Sequence, residues 1–536
     1  MTFKPINKPV HPLPSFRFGL NNQQSPDEIA DFEMSDCENV SVEEDSVISA
    51  QGYDRWDDDY LTNPGPFWGG VTFNKTTNPL DIRQRRGTLE YAVDGGTTWV
   101  TCTLPTAGSP AATVVLTQKP CVFAQLNDTL LWTNGTDTVM SSTDGITWTL
   151  RPSLPICDVI FENAKNRVLF MGLTATPYTF WWSAINDPLT IGSDSYQLID
   201  PNNHGAIKGA ALAPDGTTLV FKESALYSVA DFVDDGIIDL NFLGKITLQS
   251  HHTIATTENS VIWAGYAGIY EYIGGQVINI AGRISWSGRN AVSRNDLYCG
   301  VYANKRYHLS MPDADISQDY NSQEYIVYKT LLRQDAMQPY VITRNRRYFG
   351  MYYVSDYDYT TGRDISIMAG DSRPMTTSGS PAQYDNTVFA FVNDYREADY
   401  ASNLDGEAQS CWYVTKYLTE NVPYYVKRYK KLFSNFKVVN DLTVTLSYRF
   451  LPYGEWTNVQ YSMTADSLDM IYEDGTEGGF NEGYSFAFDT LGNVFIDIEN
   501  TERPKGIQFK ASWNQATDVQ QYGMAFQYRL KPKFKG

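Results

Sequence analysis

Residues 268–280 read Gly-Ile-Tyr-Glu-Tyr-Ile-Gly-Gly-Gln-Val-Ile-Asn-Ile. The runs on either side of the Gly274-Gly275 pair alternate and are rich in β-branched and aromatic residues, which is typical of strands. A Gly-Gly pair between two such runs predicts a two-residue hairpin turn, because glycine readily takes the positive φ angles of primed turns. The stretch therefore predicts a short antiparallel hairpin.

Hairpins of this kind recur from about residue 69 to residue 393. Residues 219–229 repeat the pattern around Glu223-Ser224, and further strands are predicted at 298–311, 324–329 and 365–370. Many short hairpins with few amphipathic helical periods predict a mainly β fold of the sandwich, barrel or propeller type.

Two Asp-Gly turns favour a propeller among these folds. Residues 94–99 (Asp-Gly-Gly-Thr-Thr-Trp) fit the Asp-box pattern, in which an aspartate caps a hairpin turn and a tryptophan packs on the blade. Residues 142–148 contain a version one residue shorter, and its Trp148 lies about one blade length after Trp99. The alternative is two unrelated hairpin turns.

The predicted organisation has three parts. Residues 1–60 form an N-terminal arm, in which Ser25-Pro26 and Glu28 predict a capped short helix. Residues 61–395 form the β-propeller. Residues 396–536 form a C-terminal β-sandwich, because a polar connector at 394–409 precedes a new series of alternating strands.

Composition limits the function classes. The 536 residues include 42 basic and 62 acidic side chains, a net charge of −20, which disfavours DNA binding and suits a surface that lets DNA pass. Six scattered cysteines predict free buried thiols rather than zinc ligands or disulfides. We see no signal peptide and no apolar run long enough for stable membrane insertion.

The N-terminal sequence resembles the opening of bacteriophage tail propeller proteins. The similar positions are Phe16 to Asn21 (Phe-Arg-Phe-Gly-Leu-Asn), Ser25-Pro26, Glu38 to Val42 (Glu-Asn-Val-Ser-Val) and Gly52-Tyr53. The turn at 181–188 (Trp-Trp-Ser-Ala-Ile-Asn-Asp-Pro) and the hairpins at 219–229 and 264–280 extend this likeness to about residue 310. The family comprises the tail nozzle, tail tubular protein B or tail hub of short-tailed phages.

This resemblance implies a structural virion protein. It would assemble in the host cytoplasm as a homo-oligomeric ring, a hexamer, below the portal and adaptor. Its partners would be itself, neighbouring tail and head–tail connector proteins and tail fibres. Genomic DNA would pass through its exit channel during ejection without tight binding. The alternative is a carbohydrate-active, sialidase-like propeller or a receptor-binding propeller of a tail tip.

No catalytic, cofactor or metal site is predicted from the sequence. Carboxylates at 57–59, 234–235 and 313–315 have no diagnostic context, no nucleophile motif is present, and the segment 356–364 departs from a calcium loop. The expectation is therefore a non-enzyme.

Basic islands lie at 83–86, 344–347 and 427–431, with two readings. They pair with acidic neighbours of the same chain, or they dock an acidic adjacent subunit or ring. We predict that the first and third face protein partners or the outside of the ring.

Overall fold

The regular secondary structure of the computed structural model is almost entirely antiparallel β-strand, with a 3₁₀ turn at His251–Thr253 and no α-helix among the residues it describes. These residues are 10–13, 16, 18–43, 46–55, 67–75, 79–93, 98–107, 112–229, 240–286, 297–303, 305–313, 321–329, 340–346, 349–354, 367–371, 388–391, 402–403, 407–419, 427–438, 442–450, 454–463, 490–498, 504, 506–515 and 519–530. The described part holds no helix long and apolar enough to cross a membrane.

Six consecutive four-stranded antiparallel sheets form the first six blades of a propeller. Blade 1 has Phe67–Phe73, Leu80–Arg85, Thr88–Val93 and Val100–Thr101; blade 2 has Val122–Leu126, Thr129–Thr133, Met140–Ser142 and Thr149–Leu150; blade 3 has Val159–Asn163, Arg167–Met171, Thr179–Trp182 and Tyr196–Leu198; blade 4 has Ile207–Leu212, Thr218–Lys222, Leu226–Val229 and Leu240–Gly244; blade 5 has Ala255–Thr256, Val261–Gly265, Gly268–Ile273 and Gln276–Asn279; blade 6 has Cys299–Ala303, Arg306–Met311, Gln323–Lys329 and Tyr340–Asn345. A small hairpin of Thr106–Ala107 and Ala112–Thr113 follows blade 1.

A seventh blade closes the ring with a strand from the N-terminal segment. It contains Phe349–Val354, Ile367–Asp371 and Val388–Phe391, and Tyr53–Arg55 pairs antiparallel with the last of these. Phe349–Val354 lies beside the first strand of blade 6 and the first strand of blade 1, so the circle closes at seven. The predicted β-propeller is confirmed.

The hairpin at 268–280 forms as predicted. Tyr272 pairs with Val277 and Ile273 with Gln276, and both turn glycines have positive φ, +56° at Gly274 and +83° at Gly275. Because both central residues are left-handed, the turn follows the right-handed twist of the flanking strands.

The Asp-box turn at 142–148 also has its expected chemistry. Asp144 Oδ1 accepts hydrogen bonds from the amides of Ile146 (2.8 Å) and Thr147 (2.7 Å), and Gly145 has φ +78°. Trp148 is buried against the blade. Of the other turn, residues 94–97 lie outside the described residues.

Two larger sheets contain the C-terminal strands. Sheet 1 has Val40–Glu43, Ser46–Ser49, Val519–Leu530, Lys427–Val438 and Thr490–Asp497, with Val10–Leu13 on the edge of Val519–Leu530. Sheet 2 has Glu407–Thr415, Ile507–Gln515, Leu442–Phe450 and Thr457–Met463, with Met34–Glu38 on the edge of Glu407–Thr415.

The two sheets pack face to face through aromatic side chains. Ring centroids of Phe436 and Trp513 lie 6.2 Å apart, and those of Phe509 and Phe526 lie 5.6 Å apart. A separate C-terminal β-sandwich is not confirmed, because both sheets take N-terminal strands and sheet 2 continues through Ser402–Asn403 into blade 7. The domain boundaries at residues 60 and 395 stay predictions.

The predicted short helix of the arm is absent. Residues 25–32 form turns, with the amide of Glu28 donating to the carbonyl of Ser25 at 2.8 Å. The side chain of Ser25 bonds that of Asp27 rather than the amide of Glu28, so the capping box does not form. All six cysteines are free and buried, as predicted.

Candidate interaction surfaces

Phe16 and residues 18–21, which together we call the wedge, lie between blade 6 and sheet 2. The Phe16 ring packs on Tyr413 of sheet 2, with centroids 4.9 Å apart. The amide of Leu20 donates to the carbonyl of Ile342 in the outer strand of blade 6 at 2.8 Å. Gly19 has φ +68° and lies against the backbone of Ile342, so a side chain there would meet both strain and a clash. The wedge therefore joins propeller and C-terminal sheets within one chain.

The buried carboxylate of Glu33 holds the wedge in place through hydrogen bonds and an ion pair. Its Oε2 accepts from Asn21 Nδ2 and from the amide of Ala30, each at 2.8 Å, and its Oε1 forms an ion pair with Arg283. The Arg283 guanidinium in turn lies 5.1 Å from the ring centroid of Phe18. This charge network ties the wedge to the chain that follows blade 5.

Two arginines of the island at 344–347 pair with acidic residues of the same chain, and Arg347 lies outside the described residues. Arg344 Nη2 lies 2.9 Å from Asp36 Oδ1, and Arg346 Nη2 lies 3.4 Å from Glu38 Oε2. Burial raises the pKa of the Glu38 carboxyl, and the two arginines oppose that shift. For these two arginines, the structure supports pairing with acidic residues of the same chain rather than docking of an adjacent subunit.

The outward prediction for the island at 83–86 is wrong for Arg83 and Arg85, and for the half-buried Arg86 it stays a prediction. Arg83 and Arg85 are fully buried. Arg83 Nε lies 2.7 Å from Glu90 Oε2, and Arg83 Cζ lies 3.8 Å from the ring centroid of Trp99. Their strand is the second in blade 1 and is buried along its whole length. These arginines therefore cannot face a partner or the outside of the ring.

The island at 427–431 is divided by strand alternation. Lys427 is buried, Arg428 is exposed, and Lys431 Nζ lies 3.6 Å from Asp497 Oδ1 at the surface. The outward prediction fails for Lys427. Docking of a partner by the remaining residues stays a prediction.

The turn at 181–188 connects the last two strands of blade 3. Ser183 Oγ accepts from the amide of Val168 at 2.9 Å, and Asp187 Oδ1 accepts from the amide of Leu189 at 3.0 Å. Asn186 has φ +59°, which asparagine tolerates. These polar side chains stabilise the turn. The residue types that resemble the tail propeller proteins at this point are therefore explained by the turn itself.

Two carboxyl groups on blade 3 have raised pKa values that could suit a general acid. Partial desolvation raises the pKa of Asp158, opposed by Lys208 and Lys119, and also raises the pKa of Glu162, although both residues are exposed at the surface. Four residues of strand separate their Cα atoms by roughly 13 Å. Glycosidases place their two carboxyl groups about 5–9.5 Å apart, so this strand alone does not supply such a pair.

The structure gives no support for the other residues considered for catalysis or metal binding. The carboxylates at 57–59, 234–235 and 315 and the segment 356–364 lie outside the described residues. Among the described residues, no group of three or more His, Cys, Asp and Glu could hold a metal ion.

Two of the histidines, His308 and His251, are packed in or against the blades. His308 Nδ1 lies 2.9 Å from Glu324 Oε1 inside blade 6, and both side chains are buried. His251 Nδ1 is enclosed without a hydrogen bond, and burial together with His252 lowers the pKa of His251 to about 3.

One arrangement escaped the sequence analysis entirely. On the outer face of sheet 2, the Arg449 guanidinium lies 4.6 Å from the ring centroid of Trp456 and 5.6 Å from that of Tyr417. Its Nε donates to Gln508 Oε1 at 2.7 Å. Alternation in residues 442–450 could have placed Arg449 outward, but its neighbours come from three other segments.

Comparison with known proteins gives only distant similarities. No protein-family model matches the chain, and no curated protein matches it. Among solved structures, the Neurospora crassa Pan2 WD40 domain is 9% identical, over 64% of this chain and 97% of that one, with a TM-score of 0.38. YCF48 from Cyanidioschyzon merolae is 10% identical over 61% and 98%, with a TM-score of 0.33. A mutant Trypanosoma rangeli sialidase is 9% identical over 86% and 91%, with a TM-score of 0.28. The assignment as a seven-bladed propeller therefore rests on the strand order described above.

Proposed function

We propose that this chain is a structural virion protein of a bacteriophage tail, a nozzle or hub subunit that lines part of the DNA exit channel. The observation that carries the proposal is the wedge, because the residues with the family resemblance are those that join propeller and C-terminal sheets. A subunit that transmits force through a tail needs such an internal joint.

Each part of the N-terminal pattern has a contact that suits this role. Asn39, with φ +55°, accepts from the amide of Arg346 and donates from Nδ2 to the carbonyl of Ser410, both at 3.0 Å. It therefore bonds blade 6 and sheet 2 at once. Tyr53 begins the strand that closes the seventh blade.

Charge supports the conduit part of the proposal. A ring of six copies would carry a net charge of about −120, from −20 per chain. Arg83, Arg344 and Arg346, from two of the three basic islands, are paired inside the chain with Glu90, Asp36 and Glu38, which leaves fewer cations for phosphates. A channel with few phosphate contacts lets DNA move.

Native mass spectrometry of the purified full chain tests the ring. Six copies of the 60.5 kDa chain should appear at about 363 kDa, alone or after mixing with candidate tail proteins. A salt-titrated assay should find no duplex-DNA binding near physiological salt. A persistent monomer with every tail protein tried, or tight DNA binding, would contradict the proposal.

A hydrolase screen tests the alternative function. We expect no turnover of glycan, peptide or nucleotide substrates. Hydrolysis of a sialoside that disappears on Asp158→Asn or Glu162→Gln, with unchanged melting temperature, would instead support the sialidase-like propeller.

A further inference from the structure

The outer face of sheet 2 holds a guanidinium in a fixed position. Arg449 lies over the rings of Tyr417 and Trp456, and its Nε donates to Gln508. Stacking on aromatic faces and a hydrogen bond together restrict a side chain that is otherwise flexible. Arg449 therefore has its orientation set in advance.

The bonding partner is itself held in place. Gln508 is buried, and its Nε2 donates to the carbonyl of Thr415 at 2.8 Å and to Ser35 Oγ at 3.0 Å. Because both amide donors are used on the side of Thr415 and Ser35, the amide oxygen points to Arg449. Among the residues that the structure describes, the terminal nitrogens of this guanidinium have no hydrogen-bond partner.

Arg449 also differs from other arginines of this acidic chain. Arg83, Arg283 and Arg344 each have a carboxylate partner. Within the part of the chain that the structure describes, Arg449 has none, although it is only partly exposed. Its fork of N–H groups matches a planar carboxylate, which can accept two parallel hydrogen bonds.

We propose that this face binds the carboxylate of an acidic sugar, with Arg449 as the recognition residue. The partly exposed rings of Tyr417 and Trp456 offer apolar edges to a sugar ring. The same sheet presents neutral polar side chains, including exposed Asn458 and Gln460, that can bond hydroxyl groups. This inference does not depend on ring assembly.

Net charge selects a sugar over an acidic protein segment. A chain of net charge −20 repels a ligand that carries several carboxylates more than one that carries a single carboxylate among neutral hydroxyls. A uronic or sialic acid unit within a glycan has that single charge.

Ligand-observed NMR and calorimetry on the intact protein test the site with a matched pair of probes. Methyl glucuronoside and methyl glucoside differ by a carboxylate in place of a CH₂OH group. The glucuronoside should bind at least tenfold more tightly than the glucoside. Arg449→Gln should weaken glucuronoside binding at least tenfold, while Arg428→Gln, which removes an exposed arginine from sheet 1, should leave it unchanged.

Arg449→Lys keeps the proposal testable if Arg449→Gln does not fold. Lysine preserves charge and ring contact but cannot form the bidentate fork, so binding should fall at least fivefold. Equal binding of both sugars, or full binding by Arg449→Lys, would overturn the carboxylate assignment. Acetate binding as tightly as the glucuronoside would overturn the sugar assignment. A glutamate-rich peptide that binds more tightly than the glucuronoside would overturn it in favour of a protein partner.

Discussion

Blades 2 to 5 are antiparallel β-structure, and so is the junction of the N-terminal segment with sheets 1 and 2. The two regions differ in the sequence separation of the residues that contact each other. In blade 2, Val122 pairs with Thr133, eleven positions away. At the junction, Gln508 bonds Ser35 across 473 positions, and Trp513 Nε1 donates to Ser49 Oγ across 464. A blade can form from its own sequence, whereas the junction needs both ends of the chain.

Deletion of residues 1–50 should lower the free energy of unfolding more than any other change, because it removes the N-terminal half of the junction. It removes Met34–Glu38 from sheet 2 and Val40–Glu43 and Ser46–Ser49 from sheet 1. It also exposes the buried faces they cover. We expect loss of cooperative unfolding, measured by circular dichroism in urea.

Insertion of two glycines after Gly275 is the matched change within a blade. Nothing lies within 4 Å of a side chain built at Gly274 or Gly275, so the turn is open. The insertion should cost less than about 1 kcal/mol of unfolding free energy. Equal effects of the deletion and the insertion would remove the distinction between the two regions.

Arg83→Met, a change inside blade 1, should cause the second largest loss of unfolding free energy. It leaves Glu90 as a buried carboxylate without its nearest cation, which we expect to cost about 3–5 kcal/mol. The double variant Arg83→Met with Glu90→Leu should recover most of that loss in urea denaturation. A loss for the single variant below about 1 kcal/mol would show that the pair is not desolvated.

Local signals in the sequence were sufficient for the blades. Gly274-Gly275 and the turn around Asp144 each specify their own geometry, so both predictions are confirmed. The error at Arg83 arose because a basic run was read as a solvated surface. Arg83 pairs with Glu90 across the Arg86-Gly87 turn, in which Arg86 takes a positive φ, and an arginine at that position does not signal such a turn as asparagine or glycine does.

The junction and the Arg449 site could not be predicted in the same way. Arg449 is contacted from separate strands and loops, by Tyr417, Trp456 and Gln508. No short window of sequence contains more than one of these three contacts. The wedge was found only because its pattern resembles a family. Its contacts with Ile342 and Tyr413 depend on pairings that local propensity does not encode.

His251 should give the blades an acid sensitivity of intermediate size. Its pKa in the folded protein is about 3, below the usual 6.5, so the unfolded chain binds the proton more readily as pH falls below 6.5. Because His251 is partly exposed, we expect a loss of about 1–2 kcal/mol between pH 7.5 and 5. His251→Leu should remove that part of the pH dependence in urea denaturation, while His204→Asn should not. An identical pH profile for wild type and His251→Leu would contradict this assignment.

The smallest effect is expected for Asp36→Asn, although it acts at the junction. Asp36 and Arg344 are 2.9 Å apart across 308 positions, yet 43% of the Asp36 side chain and 20% of the Arg344 side chain stay exposed. Water screens such a pair, so its loss should cost only about 0.5 kcal/mol, and less at high salt. Asp31→Asn, which breaks the exposed pair with Lys416, is the matched control and should behave alike. A loss above about 2 kcal/mol for Asp36→Asn alone would mean that the junction is held by its charges. The expected result attributes its stability to the shared strands and aromatic packing, with the ion pairs selecting the register in which Met34–Glu38 docks.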